Sequence, residues 1–197
     1  DRLGTLVLIM LGETCISVTI AYRETHVDEK GCYYAMLMLA FLLIFLECLA
    51  YFNVQPPKAH HAFRRSRFFG SLLFTLSKLL GLALLTVGVS IKSALGSAMR
   101  DEKEALDDKD DSRFATRLLP LSVGCSLLLL LGIRICHFGG RFPRASDPPD
   151  VSRLFSFWWI ALGTFSVAPF FFVWIRSAVA SLLVQCTLLL LLTIVET

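Results

Sequence analysis

Long apolar blocks, each close to twenty residues, alternate along this chain with short polar segments. The blocks are Leu3–Tyr22, Tyr33–Phe52, Phe69–Ile91, Leu118–His137, Ser152–Phe171 and Ser177–Val195. An α-helix rises 1.5 Å per residue, so about twenty apolar residues cross a hydrocarbon core of about 30 Å. The pattern predicts six transmembrane helices. The last two blocks lie in one apolar stretch interrupted by Pro169 and Arg176. A single helix of that length would reach ~60 Å, twice the core thickness. Two spans with a turn near Val173–Arg176 are therefore expected.

The segments between blocks have loop chemistry. "RETHVDEKG" joins the first two, and "NVQPPKAHHAFRRSR" carries the Pro56-Pro57 stop signal. "RDEKEALDDKDDSRFATR" is a long charged connection, and "GGRFPRASDPPD" is a Gly/Pro turn region. Tyr33, Tyr34, Tyr51, Trp158, Trp159 and Trp174 fall where interfacial aromatics are usual. Lys and Arg are nearly balanced between the two sides, and the dense cluster in Asn53–Arg67 tips the expected cytoplasmic side towards that loop.

Composition agrees with this reading. The 197 residues are 55% hydrophobic and 18% charged, with a mean hydropathy of +0.66, against about 25% charged in soluble domains. The charges are segregated into the loops. Basic residues form juxtamembrane clusters and no basic face of a folded domain, so no nucleic-acid partner is expected. Five of the six cysteines lie in apolar segments, with no C-x-x-C pair and no zinc spacing. They read as small buried hydrophobes. No cofactor and no metal site is expected.

Three ionisable residues sit inside blocks and not at their ends: Glu13, Glu47 and Lys78. A charge at the bilayer centre costs ~2.5–3.5 kcal/mol on insertion scales, so such groups pair, face the bundle interior or line a hydrated path. Helix rise puts Lys78 between the two carboxylates in depth, within ~5 Å of each. A shared cluster is geometrically allowed if the first three spans are neighbours. Arg2, Glu13 and Ser17 lie on one face of the first helix, which is expected to point inward. Three roles stay open for these charges: a registering ion pair, an ion or proton pathway, and an inert protonated carboxyl. Ser77, Gly81 and Gly88 share a face of the third span and read as a close helix-packing surface.

Other patterns weigh less. Asp107-Asp108-Lys109-Asp110-Asp111 has the spacing of a magnesium–diphosphate motif, but no second acidic motif accompanies it, and a solvated charge run is the simpler reading. His60-His61 point ~100° apart on a helix, and an interfacial basic segment accounts for them better than a metal site.

The opening segment resembles the low temperature requirement protein A (LtrA) family, whose members carry E-R-x-G-L-x-x-I-x-x-L-G-E at the start of a span. Here it reads Asp1-Arg2-Leu3-Gly4-Thr5-Leu6, then Ile9, then Leu11-Gly12-Glu13. Tyr51-Phe52 resembles the family's Y-F-D, with Asn53 in place of the acid. Gly81 and Gly88 have the spacing of its G-x6-G, and "LSVGCSLLLLLG" is similar to its following helix. Thr75 stands where many members have histidine, and the region of Lys78 departs from the common pattern. The resemblance implies a multi-pass membrane protein and marks Arg2, Gly4, Gly12 and Glu13 as motif positions. The chain begins with Asp1 and is expected to be the C-terminal half of a longer family protein.

Together these observations predict an all-α, polytopic transmembrane helix bundle forming a single domain over 1–197. The expected role is transport or ion and proton permeation with Glu13 as the central group and Glu47 and Lys78 as secondary members, and no enzymatic activity. The alternative is a structural or lipid-interacting membrane protein whose charges register helices. Expected partners are membrane lipids, the N-terminal helices of the parent protein, and a second copy in a homo-oligomer.

Overall fold

The computed structural model describes residues 2–24, 30–55, 62–99, 109–137, 148–175 and 177–196. Its helices are α1 (Arg2–Glu24), α2 (Lys30–Val54), the single turn α3 (Ala62–Arg65), α4 (Arg67–Met99), α5 (Lys109–Cys136), α6 (Pro149–Phe171) and α7 (Ala178–Glu196). There is no strand among the described residues. Helix is what an apolar solvent dictates, because each backbone N–H and C=O must find its partner within the segment. Among the described residues, five helices contain stretches long and apolar enough to cross a membrane: Tyr34–Val54, Arg67–Gly96, Arg117–Cys136, Ser152–Phe171 and Ala178–Val195. The protein is a multi-pass membrane helix bundle. In α1 the apolar stretch within the described residues is the shorter Gly4–Thr19.

Prolines shape two of these helices. Pro120 lies inside α5, which continues through it, as neighbours in a bundle allow. Pro169 lies in the last turn of α6. The Phe172 N–H donates to the Pro169 carbonyl at 3.1 Å and the Ile175 N–H to that of Phe172 at 3.1 Å, closing the turn into α7.

The heptad-like run Leu73, Ser77, Leu80, Leu84, Val87, Ile91 and Leu95 forms the buried face of α4, which packs between α1 and α5. Contacts at Met10–Gly81 and Thr14–Gly88 run in the same order along both chains, so α1 is parallel to α4. Contacts at Ser90–Ser122 and Leu76–Gly132 run in opposite order, so α5 is antiparallel to α4. On the other side of α5, helices α2, α5 and α7 run parallel and touch one another. Glu47 meets Ser126, and six residues later Asn53 meets Arg134. Cys186 of α7 meets Leu39, and Leu192 lies level with Ala50 and Val54. The outer faces carry Phe45, Leu82, Phe157, Ile160 and Ile194. The outside of this bundle is thus as apolar as its inside, so small residues and polar links must supply the specificity of packing.

Candidate functional site

The polar groups of the interior centre on α5. Its inward face repeats at i, i+4 and i+12 through Ser122, Ser126 and Arg134, all buried, and ends at buried His137. Ser122 lies 3.0 Å from Ser90 of α4, hydroxyl to hydroxyl. One turn further, the Ser126 hydroxyl donates to Glu47 Oε1 of α2 at 2.6 Å, with the Val123 carbonyl at 2.8 Å. Glu47 is 1% exposed, and its Oε2 has no hydrogen-bond partner among the described residues. The two acceptors around Ser126 suit both forms of the carboxyl. Against the carboxylate, Ser126 donates its proton to Glu47. Against the acid, Ser126 can accept from Glu47 while its own proton goes to the Val123 carbonyl.

About two turns beyond Ser126, or ~12 Å along the axis, the column ends in cationic and ring groups. Arg134 Nη2 lies 3.5 Å from the Asn53 carbonyl near the end of α2, and the guanidinium sits 4.9 Å from the Trp158 ring centroid of α6. The Ala62 N–H, at the start of α3, donates to His137 Nδ1 at 3.1 Å, which leaves the ring proton on Nε2. Beside Arg134 is a cavity of about 10 Å³, bounded by Ala50 and Val54, Leu130 and Arg134, Ser166 and Leu192. That is room for roughly one water.

The charges singled out from sequence are distributed differently from the expected cluster. Glu47 is inside. Glu13 is exposed on the outer face of α1, next to exposed Gly12. The reason is rotational: Thr14 is the residue of α1 that seats against α4, its hydroxyl 2.9 Å from the Met10 carbonyl and 3.2 Å from the Leu84 carbonyl. Glu13 precedes it by one residue, ~100° around the helix. Lys78 follows buried Ser77 and is likewise turned outward, its Nζ 4.1 Å from the centroid of the Phe74 ring. Of the polar stripe expected to point inward on α1, Glu13 is exposed and Ser17 half-buried, and Glu13, Glu47 and Lys78 do not meet.

The small residues lie at helix contacts. A Cβ on Gly88 would be 2.9 Å from Thr14 Cγ2, and one on Gly81 would be 3.5 Å from Met10 Cγ. Ser77 is buried on the same helix and donates to the Leu73 carbonyl at 2.8 Å. Gly4 faces the Tyr51 hydroxyl, 3.7 Å from its ideal Cβ. The side chain of Arg2 lies outside the described residues, as do His60, His61, Asp107 and Asp108. Among the described residues no group of three or more His, Cys, Asp or Glu is placed to hold a metal ion.

The family model described as Bacterial low temperature requirement A protein (LtrA) matches residues 1–196. The chain belongs to the LtrA family. No curated protein and no solved structure matches it significantly. Within this LtrA chain the opening motif serves two surfaces. Gly4 approaches α2, while Gly12 and Glu13 stand on the outer face of α1. Sequence reasoning missed the partners of Glu47. Ser126 is 79 positions away, although its i+4 relation to Ser122 was a readable signal. Gln185, a lone amide in "LLVQCTLLLL", was also passed over. It is fully buried.

Proposed function

We propose that this LtrA protein moves protons or a small cation across the membrane, with Glu47 as the group that takes up and releases the charge. One observation carries the reading. Glu47 is a carboxyl buried in mid-bundle, with one oxygen on a hydroxyl that can donate or accept and the other without a protein partner among the described residues. A carboxyl serving only to register helices would be expected to meet a cation, since an unpaired buried charge is costly. Lys78, the intramembrane lysine, is on the outer face of α4. The reading also takes α1 as a sixth crossing, lying parallel to α4. Glu13, on the outer face of α1, is then a group that meets lipid or a second copy.

The competing reading is a non-transporting bundle, favoured by the same Ser126–Glu47 bond, which ties α5 to α2. Proton and cation flux into liposomes containing the purified protein separates the two. Glu47→Gln keeps the side-chain volume and a hydrogen bond to Ser126. Loss of flux in that variant with unaltered unfolding supports transport. Equal flux in both proteins, or a change in unfolding alone, supports the registering role.

A further inference from the structure

Ser181 and Gln185 stand one turn apart on the inner face of α7, both fully buried. Ser181 Oγ, Gln185 Oε1 and Gln185 Nε2 have no protein hydrogen-bond partner among the described residues. Ser181 departs from the other inner serines in this. Ser77, Ser90, Ser122, Ser126 and Ser166 each have their hydroxyl within hydrogen-bond distance of a carbonyl three or four residues earlier. The Ser181 hydroxyl makes no such bond among the described residues.

Helix register relates these groups to Glu47. Cys186 Sγ reaches the Leu39 carbonyl at 3.3 Å. Since α7 and α2 run parallel, this register sets Gln185 ~10–14 Å from Glu47 along the axis, towards the opposite face of the bundle from Arg134. The same register sets it within about one turn of Ser122, whose hydroxyl meets Ser90. Helix α7 packs against α2, α4 and α5 together. Hydroxyls and an amide thus continue the column past Glu47. Buried polar atoms at hydrocarbon depth are met by protein or by ordered water, because leaving them unmet is expensive.

The geometry points to Ser181 and Gln185 as a buried water-binding site that relays protons to and from Glu47, making the proton and not a hydrated metal cation the permeant. This rests on the transport reading above. A proton arriving on water at Gln185 passes along intervening waters to a Glu47 oxygen. Glu47 returns a proton to the water on its other side, and no bond other than O–H changes. Two features favour the proton over a metal cation. Hard cations stripped of water take about six or more oxygen ligands, whereas Glu47 is the single carboxylate of the column among the described residues. The cavity beside Arg134, at about 10 Å³, admits one water and no hydrated ion.

The test measures proton, sodium and potassium flux in liposomes for wild type, Glu47→Gln, Gln185→Leu and Ser181→Ala. Water contact at the Gln185 side-chain amide is read separately by water-edited solid-state NMR of the wild-type protein. The expected result is proton flux without sodium or potassium flux, reduced about tenfold or more in Gln185→Leu, and a water signal at the Gln185 amide. Wild-type proton flux in both Gln185→Leu and Ser181→Ala overturns the relay while leaving Glu47 in place. Sodium or potassium flux that requires Glu47 overturns the choice of permeant. Absence of all flux defeats the transport reading, and a dry Gln185 amide overturns the water site whatever the flux. Should Gln185→Leu fail to fold, Ser181→Ala and the NMR signal decide.

Discussion

Replacing Gly88 by alanine tests whether α1 and α4 are held together by the absence of a side chain. The ideal Cβ would fall 2.9 Å from Thr14 Cγ2, 3.2 Å from Thr14 Cα and 3.3 Å from Thr14 Cβ, where carbon atoms prefer about 3.5–4.0 Å. Rotating Thr14 offers little relief. One of the crowded atoms is backbone, and the hydroxyl is held near the Met10 and Leu84 carbonyls. The helices must therefore separate by a few tenths of an ångström, at a typical overpacking cost of ~1–3 kcal/mol. Alanine returns up to ~1 kcal/mol of helix propensity over glycine. A net loss of ~0–2 kcal/mol remains, so Gly88→Ala should fall ~1–3 kcal/mol below an alanine substitution at an uncrowded glycine. Gly163, with nothing within 4 Å of its ideal Cβ, supplies the control, and alanine there should gain up to ~1 kcal/mol. Gly81→Ala, with Met10 Cγ at 3.5 Å, should fall between them. The assay is unfolding by dodecyl sulfate in mixed micelles, followed by circular dichroism. Gly88→Ala proving as stable as Gly163→Ala would refute the close α1–α4 contact.

Three further outcomes follow from the polar column and its surroundings. Ser126→Ala leaves Glu47 with neither oxygen partnered, so it should lose ~1–3 kcal/mol in the same unfolding assay; an unchanged midpoint would mean that the 2.6 Å bond contributes nothing. His137→Ala removes the acceptor of the Ala62 N–H and should cost about 1 kcal/mol, and limited proteolysis should cut more readily beside α3. Lys78→Ala changes an outward-facing side chain over the Phe74 ring and should shift stability by no more than about 0.5 kcal/mol; a loss of several times that would point to a buried partner.

The helical membrane bundle was legible in sequence because length and apolarity alone select a spanning helix. Depth was legible only coarsely: Thr14 seats against Leu84 and Gly88, which puts Lys78 about two turns of α4 from the level of Glu13 and not within the ~5 Å that helix rise alone suggested. Azimuth was not. Glu13 and Thr14 differ by one residue and ~100°, and either could have faced inward in a helix whose two sides are almost equally apolar. The structure gives the inward place to Thr14, which seats against Gly88. Lys78 and Ser77 repeat the lesson on α4. The Glu47–Ser126 bond joins residues on helices that are not consecutive in the chain, and nothing in a single sequence encodes which of several similar apolar helices become neighbours. What could have been read is the spacing of Ser122, Ser126 and Arg134 on one helix face, and the isolated polarity of Gln185. In a lipid-soluble segment a lone amide asks for a partner.

The most direct test of the account is proton flux into liposomes, comparing wild type with Glu47→Gln and Glu13→Gln at matched protein content. Flux is expected in wild type and in Glu13→Gln, and is expected to be lost in Glu47→Gln with the fold intact by circular dichroism. Flux that survives in Glu47→Gln, or that disappears in Glu13→Gln alone, would contradict it.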